Sequence, residues 1–455
     1  MTLNRNFLRA ALGCAALWLA HLPAMAALPI QHWTQPSGAN VYFVESPSIP
    51  IVDVQIDFDA GARRDPADKA GLARATADMS SKGVVAANPP TGGAYDAAMD
   101  ENQISEAWAD LGAGFGQGAT PDRMSFSLRT LNYPELLPKA AQLAAREIGE
   151  PAFPDAIWAR ERARMTAAVR EANTRPGVVA GHAYSAAVYG KHPYGYETTE
   201  ASLARITVDD MRQVWKTIQP CRAKVSIVGA VSRAQADALA TTLLSRLPAG
   251  KCEPLPAVPE VAALTAPIVR DIPFNSAQAQ VLIGQPGYKR SDPDYFALLV
   301  GNYTLGGGGF VSRLTQEVRE KRGLSYSVYS YFSPGLHAGA FTLGLQTRPD
   351  QTAQAVQVAK EVLAKFVAEG PTEAELKAAK DYLIGGFPLL IDSNRKLLDN
   401  VANIAWNNLP LDYLDTWTQQ VERVTVADIK AAFARKLQPE RMVTVTLGAA
   451  PAARP

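Results

Sequence analysis

The 455-residue chain is poor in the side chains that bind metals and carry redox chemistry, with 3 cysteines and 5 histidines. It also lacks an excess of either charge. Lys and Arg number 45 against 44 Asp and Glu, a formal net charge of +1. No basic or acidic footprint for nucleic acid or an anionic surface is present. Beyond the N-terminus no stretch approaches the roughly 18 uninterrupted apolar residues of a membrane span. Hydrophobic residues still make up 47% of the chain, ample for packed globular cores.

Residues 1–26 read as a secretory signal. Arg5 and Arg9 form a positive start, Ala10 to Ala20 an apolar core, and Ala24-Met25-Ala26 a small-residue cleavage site. The apolar core is too short to span a membrane. The chain from Ala27 onward is therefore expected to be periplasmic or secreted. Cys14 leaves with the signal, so Cys221 and Cys252 remain. In an oxidising compartment they are either a disulfide or two separate buried thiols. Closing that loop would contribute roughly 3–4 kcal/mol. The remaining histidines, His32, His182, His192 and His337, lack the spacing with which one helix presents two metal ligands. His192 lies in Gly190-Lys191-His192-Pro193-Tyr194-Gly195 and reads as a turn residue.

The two halves echo each other. A strand at Val52 to Ala60 is followed by Gly61, Arg63, Arg64, Asp65 and Pro66; a strand at Ala279 to Gly284 is followed by Gly287, Lys289, Arg290, Asp292 and Pro293. The closing segments match as well. Thr207 with Asp210, and Thr425 with Asp428, predict capped helix starts, and each helix gives way to a Gln-Pro pair and a strand, Lys224–Val228 or Met442–Leu447. Between them, Met124, Phe126 and Leu128 alternate with polar residues as a half-buried strand. Helices are predicted over Pro138–Arg146 and Pro154–Arg170. In the second half a strand at Ala340–Gln346 precedes helices over Gln351–Glu369 and Thr372–Gly385. This grouping predicts an α+β fold of two like domains, each a mostly antiparallel sheet with helices on one face. The domains are expected at residues 27–247 and 268–455. A Pro- and Ala-rich linker at 248–267 would join them.

Two motifs carry the chemistry. The first is Gly71-Leu72-Ala73-Arg74-Ala75-Thr76-Ala77-Asp78-Met79. It resembles the frame Gly-Leu-Ala-His-x-x-Glu-His-Met of the pitrilysin/insulinase family of zinc peptidases, with Arg74, Ala77 and Asp78 at the His, Glu and His positions. Arg74 is a permanent cation and repels a metal. Ala77 cannot act as a general base. Asp78 alone is not a site. Arg74 and Asp78, spaced i and i+4, are placed to form a salt bridge. The family's third zinc ligand is a Glu on a later helix; Glu161 and Glu171 are the two candidates, and the spacing does not choose between them. Without the other ligands, both read as solvated helix charges.

The second motif runs Gly306-Gly307-Gly308-Gly309, then Arg319-Glu320-Lys321-Arg322-Gly323-Leu324-Ser325-Tyr326. It is similar to the family's C-terminal signature, in which an Arg and a Tyr seven residues apart bind the substrate carbonyl opposite the zinc. Arg319 and Tyr326 match those positions. The plainer alternatives are a surface helix arginine and one strand tyrosine among several. The four glycines suggest close backbone approach to a peptide, or a simple tight turn; no Lys-Ser/Thr follows them as in a phosphate loop.

The resemblance covers nearly the whole chain after the signal. It implies two facing α+β domains, no zinc held by this chain, and a zinc-bearing homologous subunit as partner. Arg319 and Tyr326 would act in trans on peptides or unfolded polypeptides. The other reading is a non-catalytic peptide-binding or scaffold protein of the same fold.

Overall fold

The computed structural model describes residues 29–89 and 95–448; the expected signal at 1–26 lies outside the described residues. Two sheets dominate. The first contains β1 (Gln31–Thr34), β2 (Asn40–Glu45), β3 (Ile51–Phe58), β6 (Gly114–Ala119), β7 (Met124–Leu131) and β8 (Lys224–Gly229), and a short ribbon pairs β4 (Gly83–Val84) with β5 (Met99–Asp100). The second contains β9 (Ile268–Ile272), β10 (Ala279–Tyr288), β11 (Ser327–Phe332), β12 (Gly339–Thr347) and β13 (Val443–Leu447).

Their strand orders, β6-β7-β3-β8-β2-β1 and β11-β12-β10-β13-β9, are the same topology, with β1 as an addition. In each, one pair is parallel, β2 with β8 and β9 with β13, and the rest is antiparallel. The internal echo of the sequence is thus a repeat of one α+β unit. Both predicted caps are present as reciprocal boxes, Thr207 with Asp210 and Thr425 with Asp428. They leave no doubt about where these helices start, because each satisfies two otherwise orphaned amides.

Alternating side chains put Val54, Ile56, Phe58, Phe126 and Ile227 on one face of the first sheet, where the helices of its own half cover them. The opposite face is covered from the other half. The Asn394–Asn407 helix packs on β8 and β3, with Val401, Ile404 and Ala405 in one cluster with Tyr42, Val44 and Val228. Lys224 Nζ donates to the terminal carbonyls of that helix, Ala405 O at 2.7 Å and Trp406 O at 3.1 Å. Reciprocally, the Pro176–Tyr189 helix lies on β10 and β13. Its Ala180, Tyr184 and Val188 are buried against Ala340, Val443, Val445 and Leu447. Tyr184 Oη donates to Phe341 O at 2.7 Å, and a Cβ on Gly284 would collide with that hydroxyl. Each sheet therefore needs a helix from the other half to bury its second face. Cys221 and Cys252 are joined as a disulfide, Cα atoms 6.0 Å apart, which pins the start of the interdomain segment to the first half.

Candidate functional site

The Leu72–Ser80 helix starts at Gly71, whose φ of 99° suits a residue without a Cβ. Its first turn is held by Asp65, which accepts the amides of Gly71 and Ala73, both at 2.9 Å. Burial pushes the Asp65 carboxyl up to about 7, against the pull of those amides. Ala77 and Met79 face the core. Arg74 and Asp78 face a cavity of about 380 Å³, whose wall also carries Arg164, Arg175, His182 and Glu197.

The expected Arg74–Asp78 pair spans 4.0 Å, with Arg74 73% exposed; at that distance and exposure it contributes little. Burial raises the Asp78 carboxyl, and the Arg74 and Arg164 guanidinium groups oppose the rise. Glu161 also acts on Asp78, disfavouring its ionisation. Glu161 is 6% exposed and accepts from Arg164 Nε at 2.7 Å and Arg160 Nη2 at 3.0 Å. Burial works to raise its carboxyl, but the two arginines hold it low. Glu171 points away, exposed, 3.8 Å from Arg175. The solvated-charge reading therefore fits Glu171 and is corrected for Glu161, which is a buried ion-pair residue beside Asp78. His182 Nε2 and Glu197 Oε2, not anticipated from the sequence, meet on the same wall at 3.3 Å.

This donor set does not fit zinc. A tetrahedral site takes neutral or anionic donors, and the first ligand position is a guanidinium. Among the described residues no three His, Cys, Asp or Glu side chains converge as a metal site.

The Gly306–Tyr326 segment lies elsewhere, and none of its residues is on that cavity wall. Two wide π-type turns, Tyr303–Gly307 and Thr315–Glu320, shape it. They are closed by Gly308 N to Tyr303 O at 2.8 Å and Lys321 N to Gln316 O at 3.0 Å; such turns recur at functional sites. Buried Leu314, Val318 and Leu324 anchor the segment, and Asn302 ties it to β11 through Ser330. The glycines have an internal reason. A Cβ on Gly306 would strike Ser330, and of the four consecutive glycines only Gly309, at φ 59°, faces open space.

Arg319 stands between two aromatic rings. Its Cζ is 4.7 Å from the Phe310 centroid and 4.8 Å from the Tyr326 centroid. Nε also lies 3.3 Å from Glu320 Oε1. Tyr326 is 78% exposed and Phe310 65%. A cation held between two aromatic rings is fixed in direction. The sequence singles out Arg319 and Tyr326 but not Phe310, whose ring completes the stack, although an aromatic residue closing a glycine run was a visible signal.

The fold and the two sites define a bilobal α+β protein that presents an arginine and a tyrosine outward and carries a metal position unable to hold metal. A profile described as peptidase M16 inactive domain matches residues 205–383. A solved peptidase M16 inactive domain from Pseudomonas fluorescens is 34% identical, with a TM-score of 0.86 over 94% of this chain and all of that one. An uncharacterized zinc protease of Mycobacterium leprae is 27% identical over 425 residues, 91% of each chain. The periplasmic protease PqqL of Escherichia coli shares the fold, with a TM-score of 0.77 at 19% identity over 93% of this chain and 46% of its own. The chain belongs to the M16 peptidase family, the pitrilysin/insulinase type that its motifs resemble.

Proposed function

We propose that this protein is the non-zinc subunit of a heteromeric M16 peptidase of the periplasm. In this reading Arg319 and Tyr326 complete the active site of a homologous zinc-bearing subunit. The observation that carries it is the outward Phe310–Arg319–Tyr326 stack, which serves no cavity of the Arg74–Asp78 wall. Peptide hydrolysis builds negative charge on the scissile carbonyl oxygen. A guanidinium held in place by two rings and a phenol beside it are suitable donors for that charge. The signal-like residues 1–26 support the compartment. Peptides or unfolded polypeptides are the substrates that a closing shell admits.

The test is reconstitution with a zinc-bearing M16 subunit from the same source and a quenched fluorescent peptide. Activity is expected only in the mixture, and Arg319→Ala should lower kcat by about 10²–10³-fold while leaving the complex assembled. Unchanged activity on adding this chain, or a silent Arg319→Ala in an assembled complex, defeats the proposal. A second reading, peptide binding without catalysis, is favoured by β6, which ends its sheet among the described residues, since a strand edge is a template for an added strand.

A further inference from the structure

We propose that the cavity walled by Arg74 and Asp78 binds a small organic carboxylate, its anionic head held by arginine guanidinium groups and its apolar body laid against Met165 and Val169. The inference goes beyond the proposed function and uses neither Arg319, Tyr326 nor a partner subunit.

The cavity holds about 380 Å³, within the roughly 300–1,000 Å³ of small-molecule sites. Three elements bring cations to its wall. The Leu72–Ser80 helix carries Arg74, the Asp155–Ala172 helix carries Arg164, and Arg175 immediately precedes the Pro176–Tyr189 helix. All three side chains are exposed, and their donors are largely unspent. Arg74 lies 4.0 Å from Asp78 and Arg175 lies 3.8 Å from Glu171, both beyond hydrogen-bond reach. Arg164 gives Nε to Glu161 at 2.7 Å, which leaves its two Nη groups for a ligand.

The carboxylates nearby are already committed. Glu197 meets His182 at 3.3 Å, and Glu161 takes bonds from Arg164 and Arg160. Burial also raises the Asp78 and Glu197 carboxyls, which weakens their hold on a cation. Beside the charges, Met165, Ala168, Val169 and Ala172 line the cavity. Their spacing of i, i+3, i+4 and i+7 makes them one apolar helix face.

The occupant follows from this division of the wall. A guanidinium fork matches a carboxylate with two parallel charge-assisted bonds. A cationic ligand would be repelled by the arginines, and an uncharged apolar one would leave their donors unmet. An inorganic anion would satisfy the donors but leave the Met165 face uncovered. A molecule with one carboxylate and a short apolar body answers both parts.

The experiment uses the purified full chain without a partner, at pH 7 and low salt, where surface charge is least screened. Fluorine NMR titrations would compare para-trifluoromethylbenzoate with its neutral amide, and inorganic phosphate would be read by competition with the acid. The acid is expected to bind about tenfold tighter than the amide, and phosphate to compete about tenfold more weakly than the acid itself. Arg74→Gln and Arg175→Gln, both exposed substitutions, should each cut the preference for the acid to about threefold or less. Arg348→Gln, outside this wall, should leave it unchanged. Equal binding of acid and amide, no binding of the acid, or phosphate competing as well as the acid overturns the proposal. So does a preference that survives both wall variants or falls equally with Arg348→Gln. None of these outcomes touches the reconstitution test of Arg319, because the zinc partner is absent here.

Discussion

Glu147→Gln is expected to stabilise this protein at pH 8 and to be nearly neutral at pH 4. Burial raises the Glu147 carboxyl from its ordinary 4.5 to about 7, and the Trp108 hydrogen bond only partly opposes this. In the unfolded chain the group ionises near pH 4.5. Below that value both states are protonated and folding carries no penalty. Between about pH 4.5 and 7 the unfolded chain ionises while the folded state keeps its proton, so stability is lost across this window and the loss is complete above it. The full penalty is roughly 3 kcal/mol. Gln keeps the shape and an oxygen for Trp108 but has no charge to bury. With an unfolding entropy near 2.1 cal/mol/K per residue, a 455-residue chain should gain about 3–4 °C in Tm at pH 8. Differential scanning calorimetry of both proteins at pH 4 and pH 8 measures this. A variant destabilised equally at both pH values would refute the desolvation argument, because a lost contact is indifferent to Glu147 ionisation.

Four other outcomes are expected. Asp65→Ala removes the acceptor of two buried amides at the start of the Leu72–Ser80 helix and should cost about 1–3 kcal/mol in urea unfolding at pH 6. Cys221→Ser with Cys252→Ser opens a 31-residue separation and should cost about 3–4 kcal/mol, checked against the reduced parent protein. Phe310→Ala frees one side of Arg319; in the reconstituted peptidase it should lower kcat without abolishing it, whereas Arg319→Ala should abolish nearly all activity. Residues 27–247 expressed alone should aggregate or bind 8-anilinonaphthalene-1-sulfonate strongly, since the second face of their sheet loses the Asn394–Asn407 helix.

The legibility of the site followed the range of the interactions involved. Arg74, Ala77 and Asp78 were assigned through the resemblance of one contiguous segment to a family motif, and helix spacing then places Arg74 and Asp78 on one face. Arg319 and Tyr326 were likewise singled out through a contiguous segment. What it took tertiary structure to find are the groups that meet across elements: Glu161 beside Asp78, Phe310 over Arg319, and Glu147 under Trp108. Glu161 and Glu171 are on one helix and look alike in sequence. Only packing buries the first among arginines and leaves the second in solvent.

The sequence by itself determined the repeated α+β unit, the capped helices and the loss of the zinc ligands, because periodicity, caps and ligand chemistry are local. The tertiary structure alone decided which helix covers which sheet. The Pro176–Tyr189 helix is apolar nearly all round and rich in Gly and Ala, so no polar stripe marks its buried side or its target. Its place is set by the shape of the other half, where Gly284 leaves room for Tyr184. The exchange of helices arises from surfaces that exist only once both sheets have formed.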